Sequence, residues 1–74
     1  MKIKTIRFYK FIGDSLENYK LIHRIRSISI NNKFIKIKYT KKLFEEDLFI
    51  LDLKHYPDYS IEYTGFNELN IYLK

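Results

Sequence analysis

Apolar and polar residues alternate along most of this chain with a period of two, the pattern of strands with one buried face. The clearest run is residues 26–39, RSISINNKFIKIKY, two alternating arms around Asn31-Asn32. Two registers keep the same faces. A two-residue turn at Asn31-Asn32 sets Ile28 against Ile35. A four-residue loop over 31–34 sets Ile30 against Ile35, Ile28 against Ile37 and Arg26 against Tyr39. The second matches more apolar pairs, and cross-strand pairs are what stabilise a sheet. Either way Ile28, Ile30, Ile35, Ile37 and Tyr39 share one face, and Ser27, Ser29, Lys36 and Lys38 the other. The hairpin therefore has an apolar side and a basic side.

The same reading extends to both flanks. Residues 2–12 form a strand with Ile6, Phe8, Lys10 and Ile12 on one face and Ile3, Thr5, Arg7, Tyr9 and Phe11 on the other. A strand apolar on both faces is usually central, covered on each side by helix, sheet or partner. Gly13-Asp14 ends it, and Asp14-Ser15-Leu16-Glu17 fits a capping box, with Asp14 as N-cap and Glu17 in the first turn. Leu16, Tyr19, Ile22 and Ile25 recur every three residues, which predicts a helix over 15–24. A strand from Tyr19 competes, because Tyr19, Leu21, His23 and Ile25 also alternate.

Residues 41–55 fit either a helix without a clean polar face or a charged turn, Glu45-Glu46-Asp47, followed by a buried strand over 48–53. Tyr56-Pro57-Asp58 is a break. Tyr59, Ile61 and Tyr63 then alternate with Ser60, Glu62 and Thr64, Gly65 opens a loop, and Leu69, Ile71 and Leu73 alternate to the end. The expected fold is one domain, 1–74, of the α+β class. It is an antiparallel sheet of roughly four to five strands with one or two helices on one face, resembling a small ferredoxin-like sandwich. The alternative is a β-rich meander or small barrel carrying one helix.

Composition narrows the chemistry. With 74 residues, a chain buries only about 60% of its unfolded surface, so its own core is a modest source of stability. No cysteine is present, which excludes disulfides and thiolate metal sites. No apolar run is long enough for a signal peptide or a membrane span, so a cytoplasmic protein without a membrane partner is expected. Alanine, valine, glutamine and tryptophan are absent, and the favoured Ile, Lys, Asn, Tyr and Phe have AT-rich codons. Part of the lysine content therefore reflects nucleotide bias. The net charge of +5 hides a split: residues 1–44 hold twelve Lys or Arg and two acids, a balance of +10. Residues 45–74 hold two lysines and seven acids, a balance of −5. Such asymmetry hints at a charged partner, although internal pairing between the halves accounts for some of it.

Gly13-Asp14-Ser15-Leu16 resembles the nucleophile block of the GDSL esterases and lipases, and Asp52-Leu53-Lys54-His55 is similar to their C-terminal acid-x-x-histidine block. The resemblance implies Ser15 as nucleophile, His55 as base and Asp52 as the orienting acid. It also implies a longer chain with a three-layer parallel sheet, and glycine and asparagine blocks for the oxyanion hole, none of which this sequence matches. The capping box accounts for the first motif without catalysis, so no enzyme and no catalytic residue is expected. Asp52, His55 and Asp58 are interrupted by Pro57, and His23 stands alone, so no metal is expected. Two glycines make no phosphate-cradling loop, so no cofactor is expected.

Two binding surfaces remain. Lys33, Lys36, Lys38, Lys41, Lys42, Arg24 and Arg26 form a candidate surface for nucleic acid or an acidic partner, which Arg7 and Lys10 would extend and where Tyr9 or Phe34 would stack on bases. Tyr56, Tyr59, Tyr63 and Tyr72 form a candidate protein interface, because tyrosine is enriched at interfaces and thirteen aromatics exceed what so small a core hides. Edge strands of the two hairpins offer pairing to a partner or to a second copy, a homodimer. In size and style the chain resembles the small accessory proteins of phages and mobile elements, anti-CRISPR inhibitors among them. That resemblance implies a non-enzymatic module that occludes a larger protein or ribonucleoprotein complex of the host. Direct DNA or RNA binding through the basic hairpin face is the alternative.

Overall fold

The computed structural model describes residues 3–74, and their alternation becomes seven strands and one turn of 3-10 helix. The strands are β1 (Thr5–Ile12), β2 (Ser15–His23), β3 (Ile25–Ile30), β4 (Phe34–Lys42), β5 (Glu45–Asp52), β6 (Ser60–Gly65) and β7 (Glu68–Leu73), with the 3-10 helix at Leu53–His55. The expected α+β class is thereby corrected. The protein is a small β-rich domain of two sheets, with no helix layer among the described residues. Among the described residues no helix is long and apolar enough to cross a membrane.

One sheet has the order β2-β1-β7-β6 and the other β3-β4-β5. In the first, β1–β2 and β6–β7 are antiparallel hairpins and β1 lies parallel to β7, with Thr5 beside Glu68 and Lys10 beside Leu73. β1 is internal, as its two apolar faces predict. The sheets meet through one core: Ile6, Phe8, Ile22, Ile71 and Leu73 from the first, and Ile25, Ile35, Ile37 and Leu51 from the second, with Leu53. Phe8 and Phe49 join the layers with ring centroids 5.3 Å apart. Only the inward face of β1 is covered, so Tyr9 and Phe11 open to the outside of the first sheet.

The predicted helix over 15–24 is β2. A ten-residue helix is marginal in water on its own, whereas a strand satisfies the backbone of β1 at eight registered positions. Gly13-Asp14 is a two-residue hairpin turn rather than a helix start: Ile12 faces Ser15, and Gly13 takes φ 63 at the first central position. The strand carries one irregularity. Lys20 faces Phe8 while Asn18 faces Tyr9, so Tyr19 is an extra residue, a bulge that shifts the alternation of β2.

Residues 41–55 take the strand alternative, with different limits. The turn is Leu43-Phe44, and the acids read as a turn lie inside β5, Glu45 facing Lys42, Glu46 facing Thr40 and Asp47 facing Tyr39. The hairpin of β3 and β4 adopts the apolar register, Ile30 with Ile35 and Ile28 with Ile37. Asn31 secures its loop by accepting, at Oδ1, the N–H of Lys33 at 2.7 Å and of Phe34 at 2.9 Å. A bulge beyond Ser27 places Ile25, not Arg26, opposite Tyr39.

A candidate polyanion interface at the sheet junction

The chain passes from the first sheet to the second through a single residue, Arg24, held at φ 55 between His23 and Ile25. The junction is tied down by the backbone: the Thr40 N–H donates to the Arg24 carbonyl at 3.0 Å. It leaves an open groove of about 860 Å³ lined by Lys4, Thr5, His23, Arg24, Ile25, Arg26 and Thr40. Four of these seven are basic residue types and none is a carboxylate. Thr5 Oγ1 lies 3.4 Å from His23 Nδ1 on its wall. Glu46 reaches in from β5 to within 3.9 Å of the Arg26 Nε, a long, exposed contact that leaves most of that guanidinium available.

A second hollow shares His23, Arg24 and Thr40 and adds Lys20, Leu21, Ile22, Tyr39 and Lys41. Asp47 adjoins it. The Leu48 N–H donates to its carboxylate at 2.8 Å and the Tyr39 hydroxyl at 3.2 Å. These bonds, with Lys41 and Lys20 nearby, hold the Asp47 carboxyl below the usual aspartate value, the Leu48 N–H being the largest cause and partial burial opposing it. Partial burial, and then the charge and hydrogen bond of Asp47, push the Tyr39 hydroxyl up. The two hollows form one strip of Lys4, Lys20, Arg24, Arg26, Lys41 and His23 across the seam between the sheets.

The basic residues named from the sequence divide. Arg24 and Arg26 stand in the groove and Lys41 in the second hollow, with Lys42 at the end of β4. Lys36 and Lys38 lie on the outward face of the second sheet beside Ser29 and Ser27, as the alternation predicts, while Lys33 is in the hairpin loop. That face is not uniformly basic: Lys38 is 3.3 Å from Glu46, Lys36 sits over the Phe34 ring at 5.5 Å, and exposed Leu48 and Ile50 flank them on β5. The expected extensions are engaged elsewhere, Arg7 with Glu68 at 3.8 Å and Lys10 over the rings of Tyr19 and Tyr56. Lys4, Lys20 and His23 were not assigned to the site. His23 stood alone in the sequence; the strand alternative, which puts Leu21 and His23 on one face and Ile22 on the other, is the reading under which it turns outward with Leu21.

The four tyrosines do not share a surface. Tyr56 and Tyr59 pack against the core, and Tyr63 is exposed on the β6 edge. Tyr72 lies on the outward face of the first sheet, stacked on Tyr9 at 5.3 Å with its hydroxyl donating to Glu62 at 3.1 Å. Exposed aromatics instead crown two turns: Phe44 is 96% and Phe66 93% exposed, with φ 64 and 52. Bulky residues avoid that left-handed region, so both turns carry strain as well as exposed apolar surface.

The residues of the esterase resemblance do not converge. The Ser15 hydroxyl donates to Glu17 at 2.8 Å, and Asp52 accepts the Lys54 N–H at 2.9 Å. No hydrogen bond joins either to His55 among the described residues. Nor does any group of three His, Cys, Asp or Glu side chains there have the geometry to hold a metal ion. What the junction offers is delocalised positive charge at an open surface, suited to phosphates or clustered carboxylates. No family model matches the chain, and neither the curated proteins nor the solved structures compared with it give a match.

Proposed function

We propose that this protein is a non-enzymatic binding module that occupies an acidic or nucleic-acid-bearing surface of a larger complex in the cytoplasm and blocks it. Small inhibitors from phages and mobile elements, including anti-CRISPR proteins, work in this style. The observation that carries the reading is the junction groove, with Lys4, His23, Arg24 and Arg26 around it and no carboxylate in its lining. Such a surface steers association with a polyanion. Two features favour a protein-bearing target over bare nucleic acid. The adjoining outer face mixes Lys36 and Lys38 with Glu46, Leu48 and Ile50, and exposed Phe44 and Phe66 supply the aromatic anchors that protein interfaces favour.

Direct binding of DNA or RNA is the second reading, and the acid-free groove favours it too. Fluorescence anisotropy of labelled single- and double-stranded oligonucleotides at two salt concentrations separates the two. The occlusion reading predicts only weak, non-specific binding, with Kd no tighter than about 1 μM at physiological salt. Sub-micromolar binding there, falling steeply with added salt, overturns it in favour of the direct binder.

A further inference from the structure

We propose that two copies of this chain associate through their β2 strands, antiparallel about a two-fold axis between Asn18 and Tyr19, joining two four-stranded sheets into one of eight. β2 lies at the end of its sheet and hydrogen-bonds to β1 alone among the described strands, so its far edge has no strand partner, with Tyr39, Thr40 and Lys41 of β4 standing across the second hollow from its last four residues. Ile22 is its only buried side chain, while Leu16, Tyr19 and Leu21 are each more than 40% exposed. A long edge of this kind is a template for another strand.

Charge selects a second copy as the occupant. β5 carries Glu45, Glu46, Asp47 and Asp52 without a cation, β6 carries Glu62 without a cation, and β3 carries Arg26 without an acid. Each would set like against like in a two-fold pair or bring no complementary charge to it. β2 is the edge strand with both signs, Glu17 and Lys20. Pairing about its midpoint sets Glu17 of one copy against Lys20 of the other, twice, and Leu16 against Leu21, twice.

The bulge makes this register possible. Residues facing each other across an antiparallel pair must point to the same side of the sheet. In a regular strand residues 17 and 20, or 16 and 21, point to opposite sides, and the pairing fails. In β2 the extra Tyr19 restores the match. Glu17 faces Lys10 and Lys20 faces Phe8, both on the inward side, while Leu16 faces Phe11 and Leu21 faces Arg7, both on the outward side. Phe11, 40% exposed beside Leu16, adds apolar surface next to the contact. Lys20 now lies over Phe49 at 5.3 Å and Glu17 accepts from Ser15; both side chains remain exposed.

Sedimentation equilibrium of the full chain over about 10–200 μM, with Glu17→Lys, Lys20→Glu and the double exchange, tests the pairing. The wild type sediments as a dimer of the 9.1 kDa chain. Each single reversal turns two attractive pairs into two repulsive ones and raises the dimer Kd at least about tenfold, and the double exchange restores it. Amide exchange of the wild type needs no variant, and β2 becomes more protected as concentration rises. A wild type monomeric throughout, β2 protection independent of concentration, or folded single variants that dimerise unchanged would each overturn the proposal. Lys20 also borders the junction's second hollow, but no nucleic acid is present in these experiments, so their outcome does not depend on the junction's ligand.

Discussion

Phe66 stands where a hairpin turn ordinarily takes asparagine. Phe66 and Asn67 both have positive φ, 52 and 60, with Gly65 and Glu68 facing each other across them. Such a two-residue turn favours Asn-Gly because the left-handed region costs a bulky side chain free energy. Phe66→Asn should therefore raise stability by about 1 kcal/mol, and Phe44→Gly likewise, as measured by urea unfolding. A loss of stability in both would mean that the rings hold the fold. Asp47 is the other residue with a distinct signature. Its carboxyl is held below the ordinary 3.8, so its charged form contributes stability that is present above that value and lost as pH falls through the lower, folded value. In acid titrations followed by circular dichroism, Asp47→Asn should lose less stability than the wild type across that window; an identical acid slope would contradict the assignment. Neither feature was legible in the sequence. Turn φ angles depend on the register of the flanking strands, and Asp47 was read as part of a turn before its partner Tyr39 was known.

Among the elements, the strands whose alternation is unbroken were the readable ones. The β3–β4 register followed from matching Ile28 and Ile30 with Ile37 and Ile35, and β6 and β7 followed from the alternation on either side of the Gly65 loop, the structure adding their register, Ile61 opposite Ile71 and Tyr63 opposite Leu69. β2 was misread as a helix because Leu16, Tyr19, Ile22 and Ile25 fall at a spacing of three, although Leu16 and Ile22 lie on opposite faces of the strand, and because Gly13-Asp14-Ser15-Leu16-Glu17 serves a hairpin turn as well as a capping box. β5 was ambiguous for a different reason. As an edge strand with Leu51 as its only buried side chain, it shows no clean face. The turn before β2 can be tested directly. No atom crowds a Cβ at Gly13, so Gly13→Ala meets only the backbone cost of φ 63 and should destabilise by about 1 kcal/mol. A helix N-cap environment would instead leave alanine there neutral or better, and that result would contradict the hairpin.

At the scale of the molecule, chain order and charge order coincide in a way that produces the site. The basic first half supplies β1 to β4, and the passage between sheets falls at Arg24, in the middle of that half. Cations on the way in, at Lys4 and Lys20, therefore meet cations on the way out, at Arg26 and Lys41. Arg24, Arg26 and Lys41 were legible as candidate basic residues from composition and alternation. Their concentration at a junction was not, because it requires knowing that β2 and β3 belong to different sheets. The acidic half answers only part of this charge, through Glu46 and Asp47. The most direct measurement is anisotropy of one labelled oligonucleotide at low salt with three proteins: wild type, Arg24→Glu/Arg26→Glu, and Lys36→Glu/Lys38→Glu, all shown folded by circular dichroism. If the junction is the polyanion surface, the wild type binds weakly and with a steep salt dependence, the arginine pair abolishes binding, and the lysine pair weakens it less. Equal binding by the wild type and the arginine pair would place the interface elsewhere on the protein and contradict the account.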